Sequence, residues 1–144
     1  MTAVSASDRA MTLKYNREQR RQYLSMTGRV GAEWLRIFGG NTEFYSAAYW
    51  DLLTGIWQAG GPVKKTDALK LMQAIKSPHT AGKYVEAALR HGILEESDNP
   101  VDARSKLVSL SPGMEERLDA FLDAAVGEVR ATSRSLDVKG PSPE

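Results

Sequence analysis

The chain has 144 residues and a mass of 15.8 kDa, and 42% of its residues are hydrophobic and 26% charged. This composition is ordinary for one globular domain with helical extensions and excludes wholesale disorder and fibrous folds. The absence of cysteine excludes disulfide scaffolds, thiolate zinc sites and cysteine nucleophiles. No apolar run is long enough to cross a bilayer and no secretory signal is recognisable, so we expect a cytoplasmic protein without a membrane partner.

The net charge of +1 conceals an uneven distribution. Residues 63–91 carry six Lys and Arg against two acidic residues, and residues 1–40 carry seven against three. Because salt screens charges beyond about 8 Å, an anionic partner would respond to such local stretches and not to the net charge. The alternative is that these side chains only solvate helix surfaces.

Apolar residues at three- and four-residue spacing predict a helical region over residues 8–40, which ends at two glycines. A second helix is expected to begin at Thr42 and a short third helix at Thr66, both as N-caps. Ser77 followed by Pro78 is a strong signature of a fourth helix start. Glycine at position 92 is expected to end that helix.

Two short strands are predicted at residues 93–97 and 105–110, joined by a hairpin loop. A last helix is predicted over residues 111–135, and residues 136–144 are expected to be a disordered tail. The predicted fold class is therefore mainly α with a small β-hairpin. This order of elements predicts a winged helix-turn-helix over residues 42–110, flanked by N- and C-terminal dimerisation helices.

The start of the fourth helix has the composition of a helix that reads a DNA major groove. Ser77, His79 and Thr80 are short or hydrogen-bonding side chains, and the cation of Lys83 follows one turn later. Such residues can contact base edges and phosphates from a helix N-terminus. The alternative is ordinary solvation of a first helical turn.

Residues 89–96 and 99–112 carry a more specific resemblance. They combine a Gly-Ile-Leu strand start, an Asp-x-Arg in the hairpin, a Lys-Leu-Val strand and a Leu-Ser-Pro leading into the last helix. This pattern resembles the wing region of the multiple antibiotic resistance regulator (MarR) family of transcriptional regulators. The resemblance implies that Arg104 approaches the DNA minor groove or backbone and that Asp102 holds it. The full predicted DNA-contacting set is Lys64, Lys65, Ser77, His79, Thr80, Lys83, Asp102, Arg104 and Lys106.

Neither catalysis nor a cofactor is indicated by the sequence. His79 and His91 are too far apart along one helix to share a metal ion, and no nucleophile motif or phosphate-binding loop is present. We therefore expect no metal, no cofactor and no enzymatic activity.

Relatives in the MarR family often bind small aromatic effectors, and the resemblance extends this expectation to an aromatic cluster here. The predicted effector-binding residues are Trp34, Tyr45, Tyr49, Trp50 and Trp57. The alternative, that they form core or dimer packing, is the stronger expectation.

The terminal helices lead to the expected assembly and function. Their apolar stripes exceed what a winged helix can cover, which favours a homodimer and a pseudo-palindromic DNA site. The predicted function is a dimeric transcriptional regulator that binds double-stranded DNA. Modulation by a small aromatic ligand stays open beside the alternative that the aromatic residues only form packing. The alternatives are a winged-helix dimer that acts through protein contacts alone, and a small-molecule carrier or sensor with no direct DNA role.

Overall fold

The computed structural model describes residues 12–140 as five α-helices and a three-stranded antiparallel sheet. In chain order the elements are α1 (Arg17–Ile37), a single 3-10 turn (Thr42–Phe44), α2 (Ala47–Ala59), β1 (Val63–Lys64), α3 (Lys65–Leu71), α4 (Pro78–Arg90), β2 (Leu94–Asp98), β3 (Lys106–Leu110) and α5 (Pro112–Lys139). The predicted fold class, mainly helical with a small hairpin, is confirmed. None of these helices has both the length and the apolar character needed to cross a membrane.

The chain divides into two compact units. One unit is Trp34–Leu122, and the other contains the described parts of Met1–Glu33 and Asp123–Glu144. We call them the winged unit and the terminal unit.

The winged unit is built on the sheet, whose strand order is β1-β3-β2. The register pairs Glu96 with Val108 and Asp98 with Lys106, so these four side chains share one sheet face. α3 packs between α2 and α4, and α4 packs on β2. The centre of this core consists of fully buried aliphatic side chains from four elements: Leu52, Leu53, Val85, Val108 and Leu118.

Local sequence explains where α4 begins and where α2 ends. Ser77 has extended backbone angles and its hydroxyl accepts a hydrogen bond from the Thr80 amide, while Pro78 occupies the first helical position. Gly60 ends α2 in the left-handed conformation with φ of 78°, which a side chain would strain.

Four boundaries differ from the sequence predictions. Thr42 begins a 3-10 turn capped by Asn41, and the N-cap of α2 is instead Ser46, whose hydroxyl accepts from the Tyr49 amide. Likewise, Thr66 lies inside α3, which starts directly after strand β1. Strand β1 was not predicted, because a two-residue strand is defined only by its pairing with β3.

The third and fourth differences concern the chain ends. The first helix was predicted from Asp8, but α1 begins at Arg17, and residues 8–11 lie outside the described residues. The last helix was predicted to end near residue 135, but α5 continues to Lys139. No Gly or Pro interrupts residues 136–139, so nothing local breaks the helix before Gly140. The remainder of the predicted tail, residues 141–144, lies outside the described part.

The terminal unit joins the start of α1 to the end of α5 through side-chain to backbone hydrogen bonds. Gln19 is buried, and its amide donates to the Leu136 carbonyl at 3.1 Å. Asn16 donates to the Lys139 carbonyl at 3.1 Å. Further along the same helices, Arg29 forms an ion pair with Glu128 at 2.7 Å.

Candidate nucleic-acid interface

One exposed face of α4 carries a stripe of polar side chains at helical spacing. His79, Lys83, Glu86 and Arg90 line a single depression of about 590 Å³ together with Pro78 and Gly82. The Lys83 side chain is exposed and makes no ion pair within residues 12–140. Arg90 was not predicted as a site residue, although its position seven residues after Lys83 puts it on the same face. This face therefore presents two cations, an imidazole and a carboxylate to solvent.

The tip of the β2–β3 hairpin is held by its own hydrogen bonds. Asn99 is nearly buried, and its side chain accepts from the Val101 amide and donates to the Ser105 hydroxyl, both at 3.0 Å. Asp102 accepts from the Arg104 amide at 3.0 Å and lies 3.6 Å from the Arg104 guanidinium. The Arg104 side chain is nevertheless 94% exposed. The hairpin thus fixes the backbone of Arg104 and leaves its side chain free to reach a partner.

Lys65 was predicted to contact DNA, and the structure places it inside a network of ion pairs. Its ammonium lies 2.8 Å from the Glu86 carboxylate on α4 and 2.6 Å from the Glu96 carboxylate on β2. The hydrogen bond to Glu86, followed by the one to Glu96, raises the pKa of Lys65. The charge of Lys65 is therefore already compensated by two carboxylates within the protein.

Lys106 has a similar arrangement beside the hairpin loop, at the start of β3. It is paired with Asp98, its neighbour across the two strands. This hydrogen-bonded contact raises the pKa of Lys106 and lowers the pKa of the Asp98 carboxyl. Both side chains are open to solvent, so the pair neutralises charge locally and adds little to stability.

Lys64 is separated from the other predicted cations by the sheet itself. It pairs in register with Leu107, whereas Val63 pairs with Val108 on the face that also carries Glu96. Because successive residues of a strand point to opposite faces, Lys64 projects from the other side of the sheet. Lys65 thus contacts both α4 and β2, through Glu86 and Glu96, whereas Lys64 lies on the opposite sheet face.

Glu86 and Glu96, like Arg90, belong to the candidate interface and were not predicted from the sequence. The position of Glu86 could have been found, since it lies seven residues after His79 and three after Lys83 and so belongs to the same helix face. The contact of Glu96 with Lys65 joins residues 31 apart in the sequence, and no local pattern indicates it.

The five predicted effector-binding aromatic residues differ in their surroundings. Trp34 is 3% exposed, donates from its indole to the Phe44 carbonyl at 2.8 Å and packs against Phe121. Tyr49 is equally buried and donates to the Tyr84 carbonyl at 2.9 Å. These two side chains have the contacts of core residues.

The other three aromatic residues are more accessible. Trp50, packed against Trp34, remains 42% exposed, and Tyr45 is 56% exposed. Trp57 donates to the Asp119 carboxylate at 2.8 Å and lines a cavity of about 290 Å³ beside β2 and the start of α5. Of the five, only Trp57 lines that cavity.

The element order, the sheet register and the exposed face of α4 define this chain as a winged helix-turn-helix protein.

The sequence matches no protein-family model and no curated protein. Solved structures do resemble it. One is AbsC, a MarR family transcriptional regulator from Streptomyces coelicolor, at 12% identity and a TM-score of 0.56, covering 92% of this chain and 82% of that one. The chain thus has the fold of a MarR-family winged-helix regulator, which confirms the predicted resemblance.

A second similar structure has a higher sequence identity. It is a probable transcriptional regulator from Pseudomonas aeruginosa, which is 27% identical with a TM-score of 0.51. The match covers 79% of this chain and 81% of that chain. Both similar proteins are thus described as transcriptional regulators.

Proposed function

We propose that this protein is a cytoplasmic transcriptional regulator that binds double-stranded DNA as a homodimer. In each subunit α4 enters the major groove, and the β2–β3 hairpin reaches the adjacent minor groove or backbone. The observation that carries the proposal is the pair of exposed cations, Lys83 on α4 and Arg104 on the hairpin, whose side chain is 94% exposed although Asp102 lies 3.6 Å from it. A winged helix-turn-helix uses these two elements to contact DNA. The similarity of this chain to a probable transcriptional regulator supports the same conclusion.

The ion pairs limit which side chains contribute to phosphate binding. Lys65 and Lys106 are hydrogen-bonded to carboxylates, whereas Arg104 is 94% exposed and its carboxylate neighbour is 3.6 Å away. The main phosphate contacts of each subunit are therefore Lys83, Arg90 and Arg104. Six such contacts in a dimer give a slope of about −5 for the logarithm of the binding constant against the logarithm of salt concentration. This value is at the low end for a specific DNA-binding dimer.

The direct test is selection of bound duplexes from a random pool. A dimer with two-fold symmetry is expected to enrich an inverted repeat whose half-sites lie about one helical turn apart. Absence of any enriched duplex would contradict the proposal.

Substitution of the hairpin arginine tests how the DNA is held. Arg104→Ala removes one phosphate or minor-groove contact per subunit, so it is expected to weaken binding and reduce the salt slope by about 2. Lys64→Ala is the matched control, because Lys64 is also exposed but projects from the opposite side of the sheet. Equal effects of the two substitutions, or none from Arg104→Ala, would contradict the hairpin's role.

The homodimer is supported by the exposed apolar surface of the terminal unit. Tyr23 and Leu24 on α1 are 57% and 67% exposed, and they line an apolar groove of about 520 Å³ with Leu136 of α5. Val126 and Val129 are also more than half exposed. Because large exposed apolar patches mark interfaces, we expect a second copy to cover this surface. Light scattering after size exclusion tests this, and a monomer at micromolar concentration would contradict it.

A second candidate function is a winged-helix dimer that acts through protein contacts alone. The observation in its favour is the set of carboxylates around the hairpin and α4, namely Glu86, Glu96 and Asp98, which compensate two of the predicted DNA-binding cations. The duplex selection separates the two candidates, since a protein-interaction module enriches no DNA sequence.

We further propose that a small aromatic ligand modulates DNA binding. Trp50 and Trp57 offer partly exposed indole rings to such a ligand. Titration with an aromatic acid such as benzoate, followed by tryptophan fluorescence and by DNA affinity, tests this. A fluorescence change that saturates and is absent in Trp57→Phe would support the cavity beside Trp57. Unchanged fluorescence and affinity at millimolar ligand would contradict modulation by this class of ligand.

A further inference from the structure

Glu86 is a carboxylate on the face of α4 that the proposed function directs into the DNA major groove. It lines the same depression as His79, Lys83 and Arg90, and its side chain is 52% exposed. The DNA backbone offers only negative charge and hydrogen-bond acceptors to such a group. A carboxylate at this position therefore opposes non-specific binding, unless it meets a hydrogen-bond donor.

The major groove contains few hydrogen-bond donors. They are the exocyclic amino groups of cytosine and adenine, whereas guanine and thymine present acceptors and, in thymine, a methyl group. Adenine offers an acceptor at N7 next to its amino group, which disfavours an ionised carboxylate. Cytosine offers its N4 amino group without an adjacent acceptor on the same base, and a carboxylate is its usual side-chain partner.

Lys65 fixes the carboxylate of Glu86 from the protein side. The Lys65 ammonium lies 2.8 Å from one oxygen of Glu86, and Glu96 on β2 holds the same ammonium at 2.6 Å. The Glu86 side chain is 52% exposed, and an ionised carboxylate has about four acceptor sites on its two oxygens. Lys65 thus restricts the Glu86 side chain and offsets part of its repulsion from phosphates, and the exposed carboxylate retains acceptor sites for a ligand.

From this geometry we infer that Glu86 is a specificity-determining residue that reads the N4 amino group of one cytosine in each half-site, and that Lys65 is the residue that positions it. The inference rests on the proposed DNA-binding function and deepens it. It also reassigns Lys65 from a phosphate contact to a support for base reading. Lys65 lies on α3 and contacts both Glu86 on α4 and Glu96 on β2. It therefore connects the base-reading helix to the hairpin.

The test is duplex selection with the full-length wild type and three variants. The wild type is expected to require cytosine at one fixed position of each half-site. Glu86→Ala should lose the preference at that position alone, with a roughly 5- to 100-fold loss of discrimination against other bases. Glu86→Gln should shift the preference towards adenine, since an amide can pair with both N6 and N7 of adenine. Glu95→Gln is the matched control, because Glu95 is an exposed glutamate on the opposite sheet face, and it should retain the wild-type preference.

The role of Lys65 is tested by one substitution in two backgrounds. Lys65→Gln should reduce the cytosine preference in the wild-type background and change no base preference in the Glu86→Ala background. Far-UV circular dichroism of each variant shows whether the fold is retained. An equal loss of affinity in both backgrounds, with an equal drop in salt slope, would identify Lys65 as a phosphate contact and overturn its positioning role.

The outcomes separate this inference from the proposed function. If the wild type enriches no duplex, the proposed function fails and the inference fails with it. If the wild type enriches a site and Glu86→Ala keeps the same base preference at every position, only the inference is overturned. A change in affinity that is uniform over all sequences would also overturn it, because Glu86 would then act by charge alone. A wild-type preference for adenine at the Glu86-dependent position would overturn the assignment to cytosine.

Discussion

The hydroxyl of Tyr49 connects α2 to α4, and Tyr49→Phe removes that connection without changing the packing of the ring. The side chain is 1% exposed and its hydroxyl donates to the Tyr84 carbonyl at 2.9 Å. Loss of one buried, neutral hydrogen bond is expected to lower the free energy of unfolding at pH 7 by about 1 kcal/mol. Tyr45→Phe is the control, because the side chain of Tyr45 is 56% exposed, and it should leave stability unchanged.

The same substitution should change how stability depends on pH. Burial, with a smaller contribution from the Glu43 carboxylate, raises the pKa of Tyr49 from 10.0 to about 12. The folded state therefore holds this proton more tightly than the unfolded chain, so the stability that depends on it is lost as pH rises above 10. At pH 11 the wild type should have lost about 1.4 kcal/mol relative to the Phe variant. The two proteins should thus be equally stable at about pH 10.7, with the Phe variant more stable above it.

Urea unfolding followed by far-UV circular dichroism measures this, at pH 7, 9, 10 and 11 and at one protein concentration. All other side chains are the same in both proteins, so the difference between the two unfolding free energies isolates Tyr49. A difference that stays constant from pH 7 to pH 11 would refute the reasoning, since it would mean that the Tyr49 hydroxyl has an ordinary pKa in the folded protein.

Three further substitutions test the winged unit. Ser77→Ala removes the N-cap of α4 and should lower the unfolding free energy by about 1 kcal/mol. Ser77→Asp should retain most of the stability that the cap provides. Equal stabilities of the wild type and the Ala variant would contradict the role of the cap. Leu53→Ala empties a fully buried position and should cost about 3–5 kcal/mol in urea unfolding, so a cost below about 1 kcal/mol would show that the site is not close-packed. Gly60→Ala forces a side chain into the left-handed conformation and should lower stability by about 1 kcal/mol, whereas an increase in melting temperature would mean that α2 can end in another way.

The elements of the winged unit were largely predictable from the sequence because their signals are local. Ser77 and Pro78 identify the start of α4, and Gly92, with φ of 71°, follows its end. The strands at 93–97 and 105–110 were correct to within one residue at each end. Strand β1 could not be predicted in this way, since two residues become a strand only when β3 lies beside them.

The candidate site was less predictable, because charge compensation depends on tertiary contacts. The basic residues of 63–91 are visible in the sequence. The charge of Lys65, however, is compensated by the carboxylates of Glu86 and Glu96, which lie 21 and 31 residues away in the chain. The face of α4 follows from helical periodicity and could be predicted, whereas the separation of Lys64 from Lys65 by the sheet could not. Adjacent residues in the chain thus have different surroundings, which only the register of β1 reveals.

The hydrogen bonds from Asn16 and Gln19 to the last turn of α5 have a consequence for synthesis on the ribosome. The winged unit is one continuous stretch of chain, Trp34–Leu122, whereas the terminal unit is assembled from segments on both sides of it. We expect the continuous unit to fold while translation is still in progress, since domains generally fold as they emerge. The amide of Gln19 finds its carbonyl partner only after residue 136 has been made, so this contact of α1 forms after the whole winged unit has been synthesised.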